Sequence, residues 1–405
     1  MKSPKIRFKK FQNEWNSTTL GELNIEMLKG SGISKNDLKS NGQIPCIHYG
    51  ELFTFYKELI TQIKHKTDFG SVFSKINDVL MPTSDVTPNG LAKASCIKFD
   101  NIALSGDILI LRCCNKIDGL FLAYIIRFNQ KQILQLVSGT TVYHIYAKDM
   151  INFKFYLPTD RKEQEAIGEF FRKIDEILDL EKLRFKKFEN FKKTMLDNLF
   201  VASGENTPRL RLGYFTSEWN STTLGELNIE MLKGSGISKN DLKSNGQIPC
   251  IHYGELFTFY KELITQIKHK TDFGSVFSKI NDVLMPTSDV TPNGLAKASC
   301  IKFDNIALSG DILILRCCNK IDGLFLAYII RFNQKQILQL VSGTTVYHIY
   351  AKDMINFKFY LPTDRKEQEA IGEFFRKIDE ILELSQNRIS KLENIKKYLL
   401  NKMFV

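Results

Sequence analysis

Ten side chains in the first half of this 405-residue sequence have types and spacing that could do chemistry. His48 and Tyr49 lie in "IHYGEL", and Thr83, Ser84 and Asp85 lie in "MPTSDVTPNG". Arg112 and Lys116 fall in "RCCNK", and Thr140, Thr141 and His144 in "SGTTVYH". The same set recurs as His252, Tyr253, Thr287, Ser288, Asp289, Arg316, Lys320, Thr344, Thr345 and His348. Hydroxyls, imidazoles and cations in short loops, one of them stiffened by prolines, suit recognition: such groups donate to base edges or phosphates. Taken singly, each also fits a turn residue that satisfies its own backbone. The case rests on their number, since no other stretch gathers so many polar groups.

Catalytic machinery is missing. The sequence has no G-x-x-x-x-G-K-[ST] phosphate loop, no H-E-x-x-H and no G-x-S-x-G elbow. "KGSGIS" from Lys29 lacks the third glycine and the leading strand of a nucleotide loop, so Gly30 and Gly32 are expected in an ordinary loop. A DNA methyltransferase would need a glycine loop and an Asn/Asp-Pro-Pro-aromatic motif, and neither occurs. No carboxylate cluster with a nearby lysine suggests a nuclease. The chain is therefore expected to be no enzyme by itself. "CIH" at Cys46 and His48 could begin a metal site, but no second pair follows at zinc spacing, and no metal is expected. Cys113 and Cys114, in "DILILRCC", read as small hydrophobes in a buried strand.

The elements that must position these groups come in two copies. Residues 14–178 recur letter for letter as 218–382, and looser similarity continues on both sides. Such a period is far too long for a solenoid, so the chain is a tandem of two whole units, each a body and a tail. In the body, "IPCIHYGEL", "DVLMPTS", "ASCIKF", "GDILILRCC", "TTVYHIY" and "INFKFYLP" read as strands, and 119–137 as helix. This predicts an α+β globule. In the tail, apolar residues recur in steps of three and four from Ile167 through Phe171, Ile174, Leu178, Phe185 and Phe188 to Leu199. The second tail keeps that seam with changed residues from Ile371 to Met403. Each tail is a long amphipathic helix or coiled-coil strand of about 38 residues, roughly 55 Å. Pro158 and Pro362 end the preceding strand, and Asp160 or Asp364 caps the helix. The expected division is a body over 1–159, a helix over 160–201, a linker and second body over 202–363, and a helix over 364–405.

Hydrophobic residues at 43% and charged residues at 25% suit globular domains with their own cores. The formal net charge of +11 favours a polyanionic partner, although a lysine-rich composition alone would give the same sum. No secretion signal or membrane span is expected, which points to the cytoplasm.

"GSGISKNDLKSNGQIPCIHYGEL", "SGTTVYHIYAKDMINFKFYLP" and above all "DRKEQEAIGEFFRKIDEIL", entered from Leu157 and again from Leu361, resemble the specificity subunits of type I restriction–modification systems. The resemblance covers essentially the whole chain. It implies a non-catalytic subunit with two target recognition domains, joined by two long conserved-region helices that pair antiparallel as a pseudo-two-fold coiled coil. The implied partners are double-stranded DNA, two methyltransferase subunits and optional restriction/translocase subunits. S-adenosylmethionine, ATP and Mg would be bound by those partners, with no cofactor in this chain. Family members normally carry two different recognition domains; here the two are identical. Identical readers related by a two-fold axis require an inverted repeat, so the expected target is a palindromic bipartite site. The helix length caps the half-site separation at about 16 base pairs. The rival expectation is a coiled-coil protein-interaction scaffold that does not read DNA.

Overall fold

The computed structural model describes residues 3–202 and 204–405. The chain divides into two units, Met1–Lys182 with Asn387–Val405, and Leu183–Gln386. Each unit is a body, the first part of the helix that follows it, and the end of the other copy's helix.

In the first unit the body is built on a five-stranded sheet in the order Glu26–Lys29, Ile108–Arg112, Val79–Pro82, Ser95–Ile97, Leu59–Ile60. All neighbours are antiparallel except the last pair. Side chains alternate across this sheet, and both faces are covered. Val79, Met81, Leu109 and Leu111 meet the helix Gly119–Phe128, whereas Leu80, Ile108 and Ile110 meet Ile47, Leu52 and Leu104 on the other side. Burial on both faces explains why "DILIL" is an unbroken apolar run rather than an alternating one. The strand stops at Arg112, so Cys113 and Cys114 follow it, half-buried, instead of lying in it as expected. A second correction concerns 119–137, which is two helices, Gly119–Phe128 and Gln130–Gln135, broken at Asn129.

Three smaller sheets complete the body, one of them the ribbon Ser84–Asp85 with Tyr143–His144. Ile44–Ile47 pairs with His65–Thr67 and Ala103–Leu104. Trp15–Thr19, unforeseen in the sequence, pairs antiparallel with Lys154–Pro158 and delivers the chain to the long helix. The second unit repeats these elements, with its central strands at Ile312–Arg316 and Val283–Pro286.

The long helices run Arg161–Leu199 and Arg365–Met403. Asp160 caps the first, its Oδ1 accepting from Lys162 N at 2.9 Å; Asp364 does the same for Lys366. Glu163, almost wholly buried, pairs with Arg7 (2.6 Å), and Gln164 bonds Lys116 O, Pro158 O and Asp118 N. The "EQ" of the motif thus fastens the body to its helix.

Within each unit the two helix segments run antiparallel. In the first, Lys396 meets Asp175 while Phe404, further along, stacks on Phe171, which is further back. Phe404 also packs on Phe121 and Phe128. Lys192 with Asp379, and Phe200 with Phe375, repeat this in the second unit.

Candidate nucleic-acid interface

Most of the recognition candidates gather at one end of the body. Beyond Pro82 the chain leaves the main sheet, and Ser84–Asp85 pairs with Tyr143–His144 as a two-stranded ribbon. A bridge between Ser138 and His144 closes the hairpin that carries Thr140 and Thr141 at its exposed tip. Gly139 makes this turn possible at φ +110°, where a Cβ would lie 2.1 Å from Val142 O. Thr83 roots the ribbon: its N–H donates to Asp107 O and its carbonyl accepts from Ile145 N.

Asp85 is committed to holding the turn. Its Oδ2 accepts from Thr87 Oγ1 at 2.8 Å, and its carboxylate lies where any Cβ on Gly90 would sit, 1.6 Å from Oδ2. The same site on Gly90 is 2.9 Å from Phe53, whose ring is 6.1 Å from Tyr49, itself 4.5 Å from His48. A line of rings therefore connects His48 and Tyr49 to the ribbon's turn. His48 Nδ1 accepts from Gly50 N, leaving the proton on Nε2. Burial holds its pKa below 6.5 despite the opposing Glu51, so His48 is a neutral donor at pH 7. The second body holds His252, Tyr253, Thr287, Ser288, Asp289, Thr344, Thr345 and His348 in the same way.

Arg112 and Lys116 are not part of this gathering. The register Ile108↔Pro82 to Leu111↔Val79 places them at the opposite end of the central strands. Arg112 is spent on Asp78 (3.1 Å) and Phe73 O, and Lys116 O accepts from Gln164 at the helix start. Arg316, bonded to Asp282, and Lys320 behave alike. The Cys46 thiol is buried, and burial with Glu51 nearby pushes its pKa up to about 11, the reverse of what a metal thiolate needs. Among the described residues no three His, Cys, Asp or Glu side chains are grouped to hold a metal.

Two features escaped sequence reading. Val86, Val142 and Tyr146 are exposed on the ribbon. Val86 was detectable as the one large apolar residue in a polar run. The other feature is an ionic lock, in which Lys396 Nζ contacts Asp175 (2.6 Å) and Glu58 (3.3 Å) and Asp175 accepts from Tyr124 Oη. These three charged side chains are only 13–17% exposed. Burial opposes the charge on Glu58, but Arg127 and Lys396 outweigh it and hold its pKa below the ordinary value, whereas burial beside Glu58 raises that of Asp175. Lys192, Glu262, Asp379 and Tyr328 form the same lock in the second unit.

A family profile described as the type I restriction modification DNA specificity domain matches residues 12–189 and again 216–394. The chain belongs to that family. Among its relatives, the type I restriction enzyme MjaVIII specificity subunit of Methanocaldococcus jannaschii is 23% identical over 74% of this chain and 72% of that protein. The putative MjaX specificity subunit of the same organism is 23% identical over 71% of this chain and 67% of its own length. The fold matches the S subunit of a type I restriction–modification system from M. genitalium with TM-score 0.66 and 16% identity, over 100% of this chain and 99% of that one. A chain from a structural study of type I complex assembly and conformational transition matches at TM-score 0.52 and 16% identity, over 97% and 98%. The family's specificity subunits are non-catalytic, in accord with the missing motifs. Among the described residues no helix is long and apolar enough to cross a membrane.

Proposed function

We propose that this chain is the sequence-reading subunit of a type I restriction–modification complex and that its target is an inverted repeat. The observation that carries the reading is the pairing of two identical bodies with one rule of assembly: each body presents the same ribbon, and each is completed by an antiparallel segment of the other copy's helix. Two identical readers related by a two-fold axis would read the same half-site on opposite strands. Each 39-residue helix is about 58 Å long, which limits half-site separation to about 17 base pairs.

Its partners in this reading are duplex DNA, two methyltransferase subunits and, where present, restriction/translocase subunits, in the cytoplasm. The reactions belong to those subunits, with their S-adenosylmethionine, ATP and Mg; this chain positions them. Exposed Ile177 and Leu180 in one unit, and Leu384 in the other, offer apolar helix surface to a docking subunit. The test is selection of bound duplexes from a random-sequence library by the chain assembled with methyltransferase. Enrichment of two half-sites that are reverse complements supports the reading. Binding without sequence enrichment would instead indicate a protein-interaction scaffold.

A further inference from the structure

We infer that the outward face of each ribbon reads the C5-methyl group of thymine, with Val86 and Val142 in one body, and Val290 and Val346 in the other, as the methyl-contacting residues. This rests on the DNA-reading function proposed above and specifies its chemistry.

Strand pleat decides which residues face out. Tyr143 faces Asp85 and His144 faces Ser84, and Val86 and Val142 flank the Asp85–Tyr143 rung just beyond the paired residues. Asp85 and Tyr143 point inward, one to Gly90 and Thr87, the other onto the body's core. Alternation then puts Ser84 and His144 on the opposite face, and Val86 and Val142 are exposed where the two strands end. Tyr146, two residues on, stacks on His144 at 6.0 Å and 21° and belongs to that face as well.

This face is open. Val86 is 72% exposed, Val142 42% and Tyr146 47%, and the second body gives 72%, 42% and 47% at Val290, Val346 and Tyr350. Single exposed apolar residues are ordinary on a protein surface. Two exposed valines flanking the same Asp85–Tyr143 rung, beside the turns at Gly139 and Asp85, are not scattered. Hydroxyls of Ser84, Thr140 and Thr141 adjoin them, and Lys148 lies 5.6 Å over the Tyr146 ring. A small apolar spot within hydrogen-bonding groups, bordered by a cation, complements one edge in the major groove. Thymine presents a methyl beside its O4 acceptor, next to the adenine N6 donor and near backbone phosphates. A two-stranded ribbon has the width to enter that groove.

The experiment compares two random duplex libraries, one with thymine throughout and one with deoxyuridine, which lacks only the methyl. Each is selected by the specificity chain complexed with methyltransferase. Loss of one buried methyl contact weakens binding about four-fold per half-site, and about fifteen-fold for a two-half-site target. The expected result is a thymine position in the half-site at which deoxyuridine costs that factor. In the double variant Val86→Ala/Val290→Ala, the preference for thymine over deoxyuridine there should shrink, with Val142 and Val346 retaining the remainder, while the other bases of the motif stay specified. Both valines are exposed, so the variant retains its fold. Sequence-specific binding with no thymine preference, or a preference untouched by the double variant, overturns this inference and leaves the DNA-reading function standing. No sequence enrichment in either library overturns both.

Discussion

The two bodies are identical from 14–178 to 218–382, whereas the helix ends that complete them have drifted apart, "DLEKLRFKKFENFKKTMLDNLF" in one and "ELSQNRISKLENIKKYLLNKMF" in the other. Yet the drift is selective. Seam positions exchange one apolar residue for another, Phe188 for Leu392, Met195 for Leu399 and Leu199 for Met403, as expected where volume matters more than shape. The lock lysine (Lys192, Lys396) and the terminal ring (Phe200, Phe404) do not change, because each meets partners both on a body and on the facing long helix. Other ion pairs between the helix segments change freely. The first unit has Arg388–Glu181 and Lys182–Glu393, while the second has Ser385 and Gln386 in place of Glu181 and Lys182. The helix pair is therefore a clasp with a few fixed teeth on a variable rod.

Removing a fixed tooth should have the largest effect. Lys396→Ala leaves Asp175 buried without its cation and Glu58 with Arg127 alone, and should destabilise the first unit by about 3–5 kcal/mol. Lys192→Ala should do the same to the second, and denaturant unfolding followed by hydrogen exchange in each unit would measure both. Unequal losses would mean that the two clasps are not equivalent. Phe404→Ala should cost about 3 kcal/mol by emptying the space between Phe121, Phe128 and Phe171. Removing Thr140 and Thr141 together, in the first body alone, should relax one half-site by about 1–3 kcal/mol and leave the other intact. Binding-site selection would then return an asymmetric motif from a chain that gave a symmetric one. Smallest is Glu181→Ser, which makes the first clasp resemble the second and should cost less than about 1 kcal/mol, because Arg388 is largely exposed.

The tails were more legible in the sequence than the bodies. A 3.6-residue seam, a capping aspartate and a strand-ending proline are local signals, and Asp160, Pro158 and the run from Ile167 all act as their types suggest. The central strands were legible because double burial makes them apolar throughout. The ribbon was not. Ser84 and His144 meet across sixty residues of chain, and nothing near either one announces the pairing. Arg112 shows the converse: its type suggested phosphate contact, but the strand register delivers it to Asp78. The lock was hidden for the same reason, since Glu58, Asp175 and Lys396 are brought together only by the fold, although the unchanged lysine in a drifting helix was a usable sign.

The decisive measurement is a methylation map of DNA modified by this chain assembled with methyltransferase. Methylated adenines are expected in two half-sites that are reverse complements, no more than about 17 base pairs apart. Half-sites that differ, or that repeat in the same direction, would contradict an inverted-repeat target.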